Sequence, residues 1–127
     1  MRLINFRYRI NNQTTKEIKF YYYTLEELEN GKLLRDFKGQ KVTIISRDAF
    51  TGPLDKNGKE IYEEDIVRYT SRDNFGGESG ISKVYWDDKS VGFRPFSNDN
   101  ELDGRVFEDI EVIGNTYENF ELLEEKK

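Results

Sequence analysis

Residues 3–10 read Leu-Ile-Asn-Phe-Arg-Tyr-Arg-Ile, and from Ile4 onward apolar and polar side chains alternate. A period of two is typical of a β-strand that buries one face. The apolar positions of that face are Ile4, Phe6, Tyr8 and Ile10. Arg7 and Arg9 fall on the opposite side of the strand, so we expect their side chains to point to solvent.

Similar β-forming runs recur along the chain and are separated by turn residues. They lie at residues 18–23, 42–45, 66–69, 81–86, 91–96 and 110–113. Asn57-Gly58 is a strong turn signal, and Pro53 argues against a regular strand through this part of the chain. The predicted loops are residues 51–60, 71–80 and 97–104.

Two short helices are predicted beside these strands. Thr24 begins the sequence Thr-Leu-Glu-Glu, which has the pattern of a capping box. In this pattern the Thr24 side chain accepts a backbone N–H of the first turn, and the Glu27 side chain accepts the backbone N–H of Thr24. Gly31 follows as a stop signal, which gives a helix over residues 25–30. A second turn of helix is predicted to start at Asn119.

Short strands at roughly ten-residue spacing predict a small barrel or sandwich. We therefore expect a mostly β fold. Residues 48–127 would form a small barrel-like, SH3-like region, and residues 1–47 an N-terminal β-rich segment with a short helix. The 18 aromatic residues argue against disorder in this polar chain.

The composition removes several classes of activity. Cysteine and histidine are absent from the 127 residues. Their absence excludes disulfides and thiolate zinc sites, as well as the commonest general base and transition-metal ligand. The sequence carries no signal-peptide pattern and no run of about 20 apolar residues. We expect a cytoplasmic, non-enzymatic protein that does not enter the membrane and holds no cofactor or metal.

Charge is distributed unevenly along the chain. Residues 1–47 carry 10 Lys and Arg against 5 Asp and Glu, whereas residues 48–127 carry 10 against 20. Opposite charge can draw the two parts together, within one chain or between subunits. It can also indicate a basic segment that binds nucleic acid. We favour the first interpretation.

From residue 51 the chain resembles the YopX family, which consists of small proteins of bacteriophages and prophages. The first motif is Thr51-Gly52, followed by Asp55-Lys-Asn-Gly-Lys-Glu-Ile-Tyr-Glu-Glu-Asp-Ile-Val67. The others are Val84-Tyr-Trp86, Gly92-Phe93 and Ile110-Glu-Val-Ile-Gly-Asn-Thr-Tyr-Glu-Asn-Phe-Glu-Leu-Leu123. Met1-Arg2 and Asn5-Phe-Arg7 are similar to the family's opening, and the resemblance is weakest over residues 8–45.

The resemblance implies a barrel-like β fold, a tendency to self-assemble and a phage or prophage origin. It implies no activity, because the family lacks an established biochemical function. This chain departs from the family pattern at three places. Pro53-Leu54 stands where Leu-Lys is usual, Glu64 where glycine is usual, and Phe120 where proline is frequent.

The residues of the first motif have structural explanations. Asn57-Gly58 makes a turn, and we expect Asp65 to accept a hydrogen bond from a neighbouring backbone amide. Asp55 and Asn57 superficially suggest a calcium loop, but the later ligand positions of that loop are wrong, with Lys59 and Ile66 in them.

The N-terminal segment carries two binding hypotheses. Large rings on both faces of one strand indicate that one face meets another subunit. The candidate interface residues are Phe20, Tyr21, Tyr22 and Tyr23. Interleaved basic and aromatic residues also suit single-stranded nucleic acid, with Arg7, Arg9 and Lys19 as the candidate contacts.

These observations predict a non-enzymatic phage or prophage accessory protein. We expect it to form a homo-oligomer or to bind a host or phage protein in the cytoplasm of the bacterial cell. The alternative is a regulator that contacts nucleic acid through the basic, aromatic N-terminal segment.

Overall fold

The computed structural model describes residues 4–73, 76–89, 91–96 and 106–124. Contacts divide the chain into two units, residues 1–50 and 51–127, and each is described by itself. Strands hold 59% of the described residues and helices 13%, with a curled half-barrel sheet among the strands. The expected mostly β fold is confirmed. The predicted loop at residues 97–104 lies outside the described residues.

The first unit contains two complete strands, two short helices and most of a third strand. In chain order these are β1 (Asn5–Asn12), β2 (Glu17–Thr24), α1 (Leu25–Glu29), α2 (Lys32–Asp36) and β3 (Val42–Leu54). β1 pairs antiparallel with both β2 and β3, so the strand order is β2-β1-β3. β3 continues past residue 50 into the second unit.

The core of the first unit lies on one face of this sheet. Its buried members are Tyr8, Ile10, Tyr23 and Phe37. α1 and α2 contribute Leu28 and Leu33. The expected capping box is present, because Glu27 N–H donates to the Thr24 hydroxyl and the Glu27 carboxylate accepts from Thr24 N–H.

The second unit is built from short strands around a separate core. Its elements are β4 (Glu60–Tyr62), β5 (Asp65–Asp73), β6 (Gly76–Lys83), β7 (Tyr85–Asp87), β8 (Gly92–Arg94), β9 (Val106–Asn115) and α3 (Glu121–Glu124). One sheet has the order β6-β5-β9, β7 and β8 form a hairpin, and β4 adjoins the end of β3. Ile61, Val67 and Val84 are the buried centre of this core.

Two sequence-based expectations were wrong. β3 runs to Leu54 through Gly52 and Pro53, because Gly52 adopts a φ of 116°, a conformation open to glycine. The predicted loop at residues 71–80 is strand at both ends, since β5 extends to Asp73 and β6 begins at Gly76. Pairing with β5 overrides the low strand propensity of the glycines in β6.

None of the helices among the described residues is long and apolar enough to cross a membrane.

The sequence pattern did not predict helix α2, which the structure shows at Lys32–Asp36.

Candidate protein-binding surface

The turn at residues 55–59 is organised by the buried carboxylate of Asp55. Its Oδ1 accepts the N–H groups of Asn57 and Lys59 at 2.8 and 2.9 Å, and its Oδ2 accepts Val112 N–H at 3.0 Å. Lys56 N–H donates to the Ile110 carbonyl, which joins the turn to β9 a second time. Asp55 therefore acts as a structural acceptor for the backbone.

A second buried acid organises the start of β5. Asp65 Oδ2 accepts Tyr62 N–H at 2.9 Å, which confirms the predicted bond to a neighbouring amide. Glu64 beside it has a φ of 70°, in the left-handed region that favours glycine. Its side chain accepts a hydrogen bond from the Thr116 hydroxyl. The usual family glycine at this position therefore suits the backbone.

The C-terminal motif forms a third turn of the same kind. Asn115 Oδ1 accepts the N–H groups of Tyr117 and Glu118, and Asn119 Oδ1 accepts Asn115 N–H. A Cβ on Gly114 would lie 2.6 Å from the Asn119 side-chain oxygen, so glycine lets that side chain approach the backbone closely. The long motifs thus supply turn geometry, and the described residues include no group of three or more carboxylates placed to hold a metal ion.

The two faces of β2 differ in what they contact. Tyr23 is buried in the core of the first unit, and Tyr21 packs edge-to-face on Phe37 at 5.0 Å between ring centroids. These two candidate interface residues are therefore core residues. Phe20 and Tyr22 alternate with them and lie on the opposite face.

Arginine side chains cover part of that opposite face. The guanidinium groups of Arg7 and Arg9 lie 4.4 and 4.7 Å from the Phe20 ring centroid. The expectation that Arg7 points to solvent was wrong. It is buried and donates to Asp48 Oδ2 through Nε and Nη2, at 3.2 and 3.0 Å. Asp48 is the residue of β3 that pairs with Arg7, and its carboxylate compensates the charge of the buried arginine.

The three candidate nucleic-acid contacts are not brought together as a cationic surface. Arg7 is held by Asp48, and the exposed Lys19 ammonium lies 2.8 Å from Glu17. Lys19 also belongs to the core-side face of β2, whereas Arg9 stands on the other face. Carboxylates next to two of the three cations weaken an attraction for phosphate.

The most exposed apolar residues of β2 share one face. Ile18 is 50% exposed and Tyr22 is 57% exposed, with the half-buried Phe20 between them. Among the described strands, β2 is also the first in the order of its sheet, so it lies at an edge of that sheet. We call Ile18, Phe20 and Tyr22 the β2 patch. Sequence reasoning left out Ile18, although its even position gives it the same strand parity as Tyr22.

Comparison with known proteins identifies the family and nothing more specific. A family model described as YopX protein matches residues 5–124. No curated protein and no solved structure matches the chain.

Proposed function

This chain belongs to the YopX family, and we propose that it is a non-enzymatic accessory protein of a bacteriophage or prophage. It acts in the cytoplasm of the bacterial host by binding protein through the β2 patch. A second copy of the chain is the partner to which this proposal commits. The observation that carries it is the exposure of Ile18 and Tyr22 on one face of a strand at the sheet edge.

Edge strands are surfaces where a further strand can add, and natural proteins usually protect them with charge or proline. β2 has the sequence Glu-Ile-Lys-Phe-Tyr-Tyr-Tyr-Thr, with one acid, one base and no proline. Its formal charges cancel, so the strand itself places no net charge between two paired copies. Large, half-exposed aromatic and branched side chains supply the contact area that protein interfaces favour.

The patch is self-complementary under two-fold symmetry. In an antiparallel pair of β2 strands centred on Phe20, Ile18 of one copy stands opposite Tyr22 of the other. Residues directly opposite one another in an antiparallel pair share a face and contact each other. The same side chains then meet twice across one isologous interface.

The test is the mass of the protein in solution, measured by sedimentation equilibrium over a wide concentration range. We expect wild type to be a multimer and Tyr22→Glu to have a lower mass. Leu34→Glu is the matched control, since Leu34 lies on α2 and is 77% exposed. A wild type that stays monomeric, or a Tyr22→Glu variant with unchanged mass, contradicts the proposal.

The alternative is contact with nucleic acid through Arg7, Arg9 and Lys19. It is tested in the same samples with a labelled single-stranded oligonucleotide at low and moderate salt. Nucleic-acid binding through these cations would weaken steeply as salt rises and would be lost in a triple alanine variant. That result, with a monomeric wild type, would favour the alternative.

A further inference from the structure

The β7–β8 hairpin of the second unit exposes large apolar side chains. Trp86 is 47% exposed and Tyr85 is 41% exposed. Val91, immediately before β8, is 71% exposed. Exposed tryptophan and tyrosine on a short hairpin are the residue types that most often anchor protein interfaces.

The Trp86 ring is held in place by its own hairpin. Its Nε1–H donates to Asp88 Oδ1 at 2.8 Å. The ring also packs edge-to-face on Phe93, the paired residue of β8, at 5.2 Å between centroids and 81° between planes. Fixing an anchor before binding lowers the entropy that association costs.

Val91 has a positive backbone φ in the turn that precedes β8. Its φ is 52°, which is strained for a β-branched residue. The side chain gains little burial in return, because most of it faces solvent. Strain of this kind is concentrated in sites where a side chain must be presented in one position.

The second unit is acidic as a whole, and a carboxylate lies at this ring. Asp87 and Asp88 follow Trp86 directly, with Lys89 after them, and the second unit carries 10 Lys and Arg against 19 Asp and Glu. A carboxylate accepts several hydrogen bonds, so Asp88 can receive both the indole N–H and a donor from another molecule. An aromatic face beside a carboxylate is suited to a guanidinium or ammonium group.

We propose that Trp86, Asp88 and Val91 form a binding site for an extended, basic segment of a protein partner. An arginine or lysine side chain of that segment lies on the indole face and bonds to Asp88, and Val91 packs against its aliphatic stem. The proposal is independent of the β2 patch, which belongs to the other unit.

The probe is a fluorescently labelled Gly-Ser-Arg repeat peptide, with a Gly-Ser-Glu repeat of equal length as its charge control. Binding is followed by anisotropy with the full-length protein. We expect the arginine peptide to bind at least about tenfold more tightly than the glutamate peptide, and Trp86→Ala to remove that difference. Asp88→Asn keeps the Trp86 ring and removes the carboxylate charge. It should weaken binding of the arginine peptide and leave binding of the glutamate peptide unchanged.

Two variants separate ring chemistry from apolar contact. Tyr85→Ala removes an exposed ring from the opposite face of the hairpin, and we expect unchanged binding. Trp86→Leu keeps an apolar side chain and should bind the arginine peptide several-fold more weakly. Equal binding of the two peptides, or full binding by Trp86→Leu, overturns the proposal.

Trp86 is the sole tryptophan of the 127 residues, so fluorescence excited selectively at tryptophan reports on this site alone. If the carboxylate at the ring makes the site negative, caesium cations should quench the Trp86 fluorescence more strongly than iodide anions. Equal quenching by the two ions would contradict a negative charge at the ring. If the arginine peptide does not bind and Trp86→Ala lowers the mass of a wild-type multimer, the occupant is a second copy. That result overturns the proposal of a separate basic partner.

Discussion

The turn at residues 55–59 and strand β2 use their side chains in opposite ways. Asp55 is buried, and its two oxygens accept three backbone N–H groups. Ile18 and Tyr22 instead leave half or more of their surface exposed at a sheet edge. The turn lies in the motif that makes the family recognisable, whereas β2 lies where the resemblance is weakest. The motif residues of the turn specify backbone geometry, and the surface that we propose for binding lies outside that motif.

The largest effect is expected at the turn. In Asp55→Asn, the side-chain N–H₂ group would face backbone N–H donors and leave at least one of them unsatisfied. Losing hydrogen bonds to a buried carboxylate should lower the free energy of unfolding by about 2–4 kcal/mol. Urea unfolding measures this loss. Glu78→Gln, which changes the same charge on the exposed strand β6, is the control and should shift stability by less than about 0.5 kcal/mol.

Gly114→Ala should have the next largest effect. The new Cβ would lie 2.6 Å from Asn119 Oδ1 and 2.9 Å from Asn119 Cβ, so the C-terminal turn must shift. We expect a loss of about 1–3 kcal/mol in the free energy of unfolding, the usual cost of overpacking. An unchanged urea midpoint would show that the turn adapts freely and that the glycine is not needed for packing.

Glu64 offers a smaller test, based on comparing two variants. Both Glu64→Gly and Glu64→Ala lose the hydrogen bond from the Thr116 hydroxyl, but alanine keeps the cost of a positive φ. The glycine variant should therefore be more stable than the alanine variant by about 1 kcal/mol. Thermal unfolding of the two proteins side by side measures the difference. Equal stability would mean that the backbone relaxes away from the left-handed region.

The smallest expected effect is on the pH dependence of stability. Burial acts to raise the pKa of Asp55, but the N–H groups of Val112, Lys59 and Asn57 outweigh it and hold that pKa below its ordinary value. The stabilisation is fully present above the unfolded pKa of about 3.9 and is lost as pH falls through the lower, folded pKa. Wild type should lose more stability than Asp55→Asn between about pH 5 and pH 3. Parallel pH profiles would contradict this assignment.

Local patterns in the sequence predicted much of the fold. The alternation of apolar and polar residues predicted β1, and the Thr24 capping box predicted α1. Both signals could be read from the sequence because they depend only on residues that are neighbours in the chain. The full extents of β3 and β6 depend on pairing with another strand, β3 with β1 and β6 with β5. Gly76 and Gly77 pair with the end of β5, and nothing in their own chemistry favours a strand.

The candidate surface was predicted only in part. The aromatic run of β2 indicated an interface, but only the packing of Phe37 showed that Tyr21 belongs to the core. Arg7 looked solvated in the alternating pattern, whereas its partner Asp48 is 41 residues away in the sequence. Long-range pairing of this kind has no local signal.

The central claim is that the β2 patch binds a second copy of the chain. The most direct measurement is the sedimentation equilibrium mass of wild type and Tyr22→Glu, with their urea midpoints compared separately at a concentration low enough for both to be monomeric. We predict a wild-type multimer and a lower mass for Tyr22→Glu at high concentration, with monomer stabilities within about 0.5 kcal/mol of each other. Identical masses for the two proteins would contradict it.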